Sequence, residues 1–117
     1  MELESLLKTE NRLKKNKDFK VIYKKGKSYA NRDFVIYYKK NPYGITRIGF
    51  SVSKKVGRAW KRNEIKRRLR EILRKNDSLL ALGYDIIVIV RQSIKETDYF
   101  LIEKSLNHAL KGSGLID

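Results

Sequence analysis

The sequence predicts an α+β fold, an α/β sandwich in which a mixed β-sheet packs against three helices. Three observations lead there. The runs DFVIYYKK (33–40) and RIGFSVS (47–53) alternate their side chains at period two, as strands with two unlike faces do. YDIIVIV (84–90) is apolar without alternation, the pattern of an interior strand covered on both sides. Around these runs, apolar residues recur at i, i+3, i+4 and i+7, the helical period. At 117 residues and 41% hydrophobic, the chain suits one domain, 1–117, with a modest core.

The elements follow in order. Residues 1–11 read as a loose N-terminal extension with a turn around Leu3, Leu6 and Leu7. A short helix follows: Asn16 suits its N-cap, Phe19, Ile22 and Tyr23 share a face, and Gly26 ends it. Lys27–Ala30 is short enough to be a separate strand before the break at Asn31–Arg32. Phe34, Ile36 and Tyr38 then oppose Val35, Tyr37 and Lys39. Asn41–Pro42–Tyr43–Gly44 is a turn signal, so this strand and Ile48–Val52 are expected to pair as an antiparallel hairpin. The second face of that hairpin carries Gly49, Ser51 and Ser53 beside Tyr37. A basic helix runs from about Arg58 to Lys75. The interior strand ends in a loop to a last helix, about Thr97 to Lys111, which packs through Ile102, Leu106, Ala109 and Leu110 and is stopped by Gly112.

The charge narrows the function. Twenty-eight Lys and Arg against 13 Asp and Glu give +15. Self-repulsion of that size destabilises a compact state unless an anionic partner relieves it, and nucleic acid or an acidic membrane would serve. No apolar run reaches the length of a membrane span, the start is acidic and unlike a signal peptide, and the chain has no Cys for disulfides or thiolate metal sites. The expectation is a cytoplasmic protein.

KRNEIKRRLREILRK (61–75) decides between the two anions. Eight of its fifteen residues are basic and five of those are Arg, the side chain suited to bidentate phosphate contact. Its apolar stripe is Ile65, Leu69, Ile72 and Leu73. At 100° per residue, Asn63, Arg67, Arg70 and Arg74 fall opposite that stripe in a row that holds no acid. Arg62 and Lys66 flank the stripe on one side, Lys61 and Arg68 on the other. A solvated face normally mixes signs at i, i+4, so this row predicts a polyanion, with Lys54, Lys55, Arg58 and Lys61 adding charge around Gly57. A membrane-surface helix would need its apolar face for lipid, but here the sheet needs it.

A protein active site is not foreseen. Asp18, Asp33, Asp85 and Asp98 are scattered among cations without ligand spacing. His108, the one histidine, has no partner motif and reads as a surface or packing residue. There is no phosphate-loop glycine pattern. The expected cofactor set for the protein alone is therefore empty, and no small-molecule substrate is expected.

The segments RLKKNKDFKVIYKKGKSYANRDFVIYY and RIGFSVSKKVGRAWKRNEIKRRLRE resemble the protein subunit of bacterial ribonuclease P, and the likeness runs from about Arg12 to the C-terminus. The resemblance implies a four-stranded sheet in a ribosomal-protein-like domain, with a left-handed β-α-β crossover where the general rule is right-handed. It implies a cofactor of a catalytic RNA that removes the 5′ leader of precursor tRNA, with Mg²⁺ bound mainly by RNA. The expected partners are that RNA and precursor tRNA. Its Arg-Asn-Arg box is matched at Arg62 and Asn63, but Glu64 stands in the third place. Lys66, Arg67 and Arg70 match later basic positions, and Arg12, Lys14 and Lys15 match an N-terminal basic stretch. The family's leader cleft is matched at Phe19, Tyr23 and Tyr37, with Ser51 on the same face. By pattern alone Phe19 and Tyr23 read first as anchors of their helix; the resemblance assigns part of their surface to the leader, whose bases can stack on them. The alternative from a different class is a ribosomal-type or general RNA-binding protein without a processing role, because fold alone does not separate the two.

Overall fold

In a computed structural model, which describes residues 12–13, 15–96 and 98–117, without the side chains of 95 and 96, a four-stranded sheet has the order β1-β2-β4-β3. Helix α1 (Asn16–Lys25) leads to β1 (Lys27–Ala30), β2 (Phe34–Lys40) and β3 (Arg47–Val52). A single 3₁₀ turn (Lys54–Val56) precedes α2 (Ala59–Arg74), followed by the one-turn α3 (Asp77–Leu80), β4 (Tyr84–Val90), a second 3₁₀ segment (Gln92–Glu96) and α4 (Tyr99–Ser113). The expected extension over 1–11 lies outside the described residues, as does Lys14.

The sheet corrects one expectation. β2 and β3 do not pair as a hairpin: β4 lies between them, antiparallel to β2 and parallel to β3. The reason is burial. Ile86, Val88 and Val90 point into the main core while Ile87 joins a second cluster on the other face, and only a central strand satisfies both faces and both ladders at once. The hairpin of this sheet is instead β1–β2. Its turn is set by Asn31, whose Oδ1 accepts from the amides of Asp33 and Phe34 at 3.1 and 2.9 Å. Asn41–Gly44 is a turn as expected, with Asn41 Oδ1 accepting from the Tyr43 amide at 2.9 Å, but it carries the chain past the width of one strand.

On one face, α2, α3 and α4 bury Phe34, Ile36, Ile48, Ile65, Leu69, Leu73 and Leu106 against the sheet. The stripe foreseen for α2 is buried throughout. On the other face, α1 covers only part of the sheet, through Leu13, Ile22 and Ile87 with Phe19, Tyr37 and Ile89 at the margin. β3 would be a bare edge, but Leu13 donates its amide to Ile48 O at 3.0 Å and Arg12 bridges to Ile48, which blunts the edge against stray pairing.

Three smaller corrections concern the helices. Asn16 is the first residue of α1, not its cap: Lys15 holds that position, and Asp18 supplies the first-turn acid. α3 makes the helices four rather than three among the described residues. Gly112 does not stop α4, which starts at Tyr99 under an Asp98 cap and runs to Ser113, where Gly114 turns left-handed at φ 85°. Gly112 lies inside the helix because the Tyr29 ring rests on it; a Cβ there would sit 2.2 Å from Tyr29 Cζ.

Candidate nucleic-acid interface

Two surfaces meet along β3. The first is an aromatic groove on the face that α1 leaves open. Phe19 and Tyr23, one turn apart on α1, reach down to the sheet, where Tyr37 stands on β2. Tyr23 and Tyr37 meet edge-on at 5.0 Å, and Phe19 and Tyr23 at 6.4 Å, favourable T-shaped geometry. Gly49 makes the approach possible: a Cβ there would lie 2.4 Å from Phe19 Cζ and 3.2 Å from Leu13 Cβ. Tyr23 shares a side-chain hydrogen bond with Ser51, and burial, opposed by that bond, raises its phenol above the ordinary value. A phenol is neutral at physiological pH even at its ordinary value, so the ring does not repel phosphate.

All four residues expected in this groove are brought together. Phe19 is half-buried against the second cluster, as an anchor of its helix, whereas Tyr23 is 40% exposed. Beyond them the sheet face stays open in a cavity of about 460 Å³, lined by Ser51, Ser53, Ile89, Arg32 and Arg91. The arginines at that far end were not foreseen; Arg32 lies in the β1–β2 turn and Arg91 directly follows β4.

The second surface is the flank of α2 that faces β3. Lys66 and Arg70 stand there with Arg12, around a cavity of about 240 Å³ floored by Ile48, Gly49 and Phe50. Arg70 was expected opposite the apolar stripe. It leans instead onto the Phe50 ring, 5.7 Å from its centroid, and burial first, then the charge of Arg12, lowers its pKa. A guanidinium held partly dry beside another cation is poised to gain from an anion.

The outer row of α2 differs from its sequence picture. No acid sits in the row, yet Glu64 and Glu71 reach into it from the next one. Arg67 donates to Glu64 through Nε at 3.0 Å and Nη2 at 2.6 Å, and pairs with Glu71 through Nη1. Arg68 donates to Glu64 at 3.1 Å and lies 4.9 Å from the Tyr99 ring centroid. Hydrogen bonds from Arg67, then Arg68, hold the Glu64 carboxyl down at about 2. The mutual repulsion expected along this row is therefore relieved within the protein at Arg67. Arg62 is also engaged, donating to Gly57 O at 2.8 Å and tying the preceding turn to the helix. Asn63 and Arg74 are exposed, as are Lys54, Lys55 and Arg58, while Lys61 lays its stem over Gly57.

No group of three or more His, Cys, Asp or Glu that could hold a metal occurs among the described residues. Asp85 is committed elsewhere, in a bidentate pair with Arg47 at 2.8 and 2.7 Å and in a hydrogen bond from Asn41 at 2.8 Å. His108 lies 3.4 Å from Asn31 Nδ2, which also donates to Ser105 O at 2.9 Å, a packing role. No helix among the described residues is long and apolar enough to cross a membrane.

Fold and surface thus define a small basic α+β protein with an aromatic groove and a cationic helix flank sharing one edge strand. The Ribonuclease P family model matches residues 7–113, and the chain belongs to that family. A ribonuclease P protein component of Clostridium botulinum (strain 657 / Type Ba4) is 46% identical over 107 residues, 91% of this chain and 96% of that protein. One of Alkaliphilus oremlandii is 44% identical over 95% and 97% of the two chains. The RNase P protein of Staphylococcus aureus superposes with a TM-score of 0.87 at 47% identity, covering 92% of this chain and 98% of that one. The RNase P protein of Thermotoga maritima does so with a TM-score of 0.78 at 38% identity, covering 86% and 94%.

Proposed function

We propose that this protein is the RNA-binding subunit of a ribonuclease P holoenzyme, acting in the cytoplasm to remove the 5′ leader of precursor tRNA. The chain contributes no hydrolytic group in this reading. The RNA subunit carries the chemistry with its Mg²⁺, and the protein positions the substrate. Lys66, Arg70 and Arg12 on the α2 flank, with Lys54, Lys55, Arg58, Lys61, Arg62, Asn63 and Arg74 around them, engage phosphates of the RNA subunit. Phe19, Tyr23, Tyr37 and Ser51 take the leader.

One observation carries this reading: the aromatic groove and the cationic flank adjoin across β3, with Gly49 at the border of both. A flexible single strand entering the groove finds rings for its bases, and its backbone stays within reach of cations. Stacking on ring faces makes no sequence demand, which fits leaders of varied sequence.

The test is reconstitution. Purified protein added to the RNA subunit at low Mg²⁺ restores precursor cleavage, and the protein alone cleaves nothing. Failure to restore cleavage with folded protein would overturn the proposal, as would equal affinity of the holoenzyme for precursor and mature tRNA.

A further inference from the structure

We infer that Trp60 is a stacking platform for one unpaired nucleobase of the RNA that α2 engages. The inference rests on the RNA-binding role above and adds a contact that is not electrostatic. Trp60 is 69% exposed, in the first turn of α2. Most tryptophans bury the greater part of their surface. The buried residues of α2 are Ile65, Leu69, Ile72 and Leu73, which lie on the opposite side of the helix from this ring.

The surroundings choose the partner. Ser53–Arg62 holds five cations and no acid, and Lys54, Lys55 and Arg58 are exposed. A protein partner covering the ring would have to desolvate those like charges together. A single-stranded nucleic acid answers both features, with phosphates on the cations and a base on the ring. The nearest acid one turn along the helix is Glu64, whose charge is already tied to Arg67 and Arg68, so it leaves the ring open to a polyanion.

Trp60 is the only tryptophan of the chain, so intrinsic fluorescence reports on it without a label. Titration with the RNA subunit quenches the signal and shields the ring from acrylamide. Heparin, a polyanion without bases, occupies the cations yet leaves the ring accessible. Trp60→Ala weakens RNA-subunit binding by about tenfold to a hundredfold, the range of one base–aromatic stack, with an unchanged salt slope, and Trp60→Phe recovers most of the loss. An unquenched, acrylamide-accessible Trp60 at saturating RNA, with precursor cleavage still restored, overturns the stacking contact and leaves the holoenzyme role standing. Equal shielding by heparin overturns it too. Absence of RNA binding by the unaltered protein overturns both.

Discussion

Replacing Glu64 by Gln is the perturbation that best separates the cations of α2. Glu64 holds Arg67 through two hydrogen bonds, at 3.0 and 2.6 Å, and Arg68 through one at 3.1 Å. Arg68 also has the Tyr99 ring and Arg67 keeps Glu71, so the substitution releases about one cation's worth of charge toward RNA. Each added phosphate contact steepens the dependence of log affinity on log salt by about 0.7–0.9. Between about 50 and 200 mM salt, that slope alone changes affinity about threefold. Filter-retention measurements of RNA-subunit affinity across that range should therefore show Glu64→Gln tighter at low salt and steeper in salt. Arg67→Ala should leave the slope nearly unchanged, whereas Arg70→Ala flattens it by about one contact. A pH titration cannot substitute for the mutation. The Glu64 carboxyl sits at about 2 in the folded protein, below its ordinary value of 4.5. A lowered folded value means that its ion pairs contribute above the ordinary range and are lost only as pH falls toward about 2, so they persist across the assay range. If Arg67→Ala and Arg70→Ala flatten the slope equally, and Glu64→Gln leaves it unchanged, the division into paired and open arginines is refuted.

Three further outcomes follow from the groove and its supports. Gly49→Ala forces Phe19 and Leu13 away from the sheet and should cost about 1–3 kcal/mol in urea unfolding. Combined with Phe19→Ala the losses should fall short of their sum, because the clash is removed; strict additivity would show that α1 does not rest on Gly49. Tyr37→Leu should weaken precursor binding about tenfold while mature tRNA binding holds, and equal losses would make Tyr37 a folding residue only. Asp85→Asn should cost about 2–3 kcal/mol in denaturant titration, under the range for a fully buried pair because Arg47 retains some exposure. A change within error would show that the pair contributes no net stability.

Much of this was legible in the residues, and the failures share a cause. Period-two alternation located β2 and β3, and the unbroken apolar run of Tyr84–Val90 located the strand covered on both sides. Alternation says nothing about which strand lies beside which, so the short turn at Asn41–Gly44 suggested a hairpin that β4 in fact separates. The faces survived that error, because side-chain direction depends on the pleat and not on the neighbour. Tyr37 and Ser51 therefore share a face as foreseen, and Phe19 and Tyr23 meet that face as the family resemblance implied. Helical angle placed the stripe of α2 correctly but treated long side chains as points. Glu64 and Glu71 span the angular gap to Arg67, and Arg70 bends back to Phe50. Tertiary contact, invisible to periodicity, also explains why Gly112 sits inside α4: its missing side chain makes room for Tyr29.

The formal charge of +15 overstates what an RNA can collect. Arg47 is spent on Asp85, Arg67 and Arg68 on Glu64, and Arg62 gives one of its donors to Gly57. Arg91, at the far end of the groove, donates to Asn31 O at 3.0 Å and holds the β1–β2 turn. Arg47, Arg67, Arg68 and Arg91 thus shape the surface, and under the proposed function the lysines act on the partner together with Arg12, Arg58, Arg70, Arg74 and the remaining donors of Arg62. Glu64, the residue that departs from the Arg-Asn-Arg box, belongs to the same economy. It engages Arg67 in the row facing away from the sheet, while Lys66 and Arg70 stand on the flank that meets β3. In the proposed holoenzyme, contact with RNA would then be directed to the side of α2 that adjoins the aromatic groove.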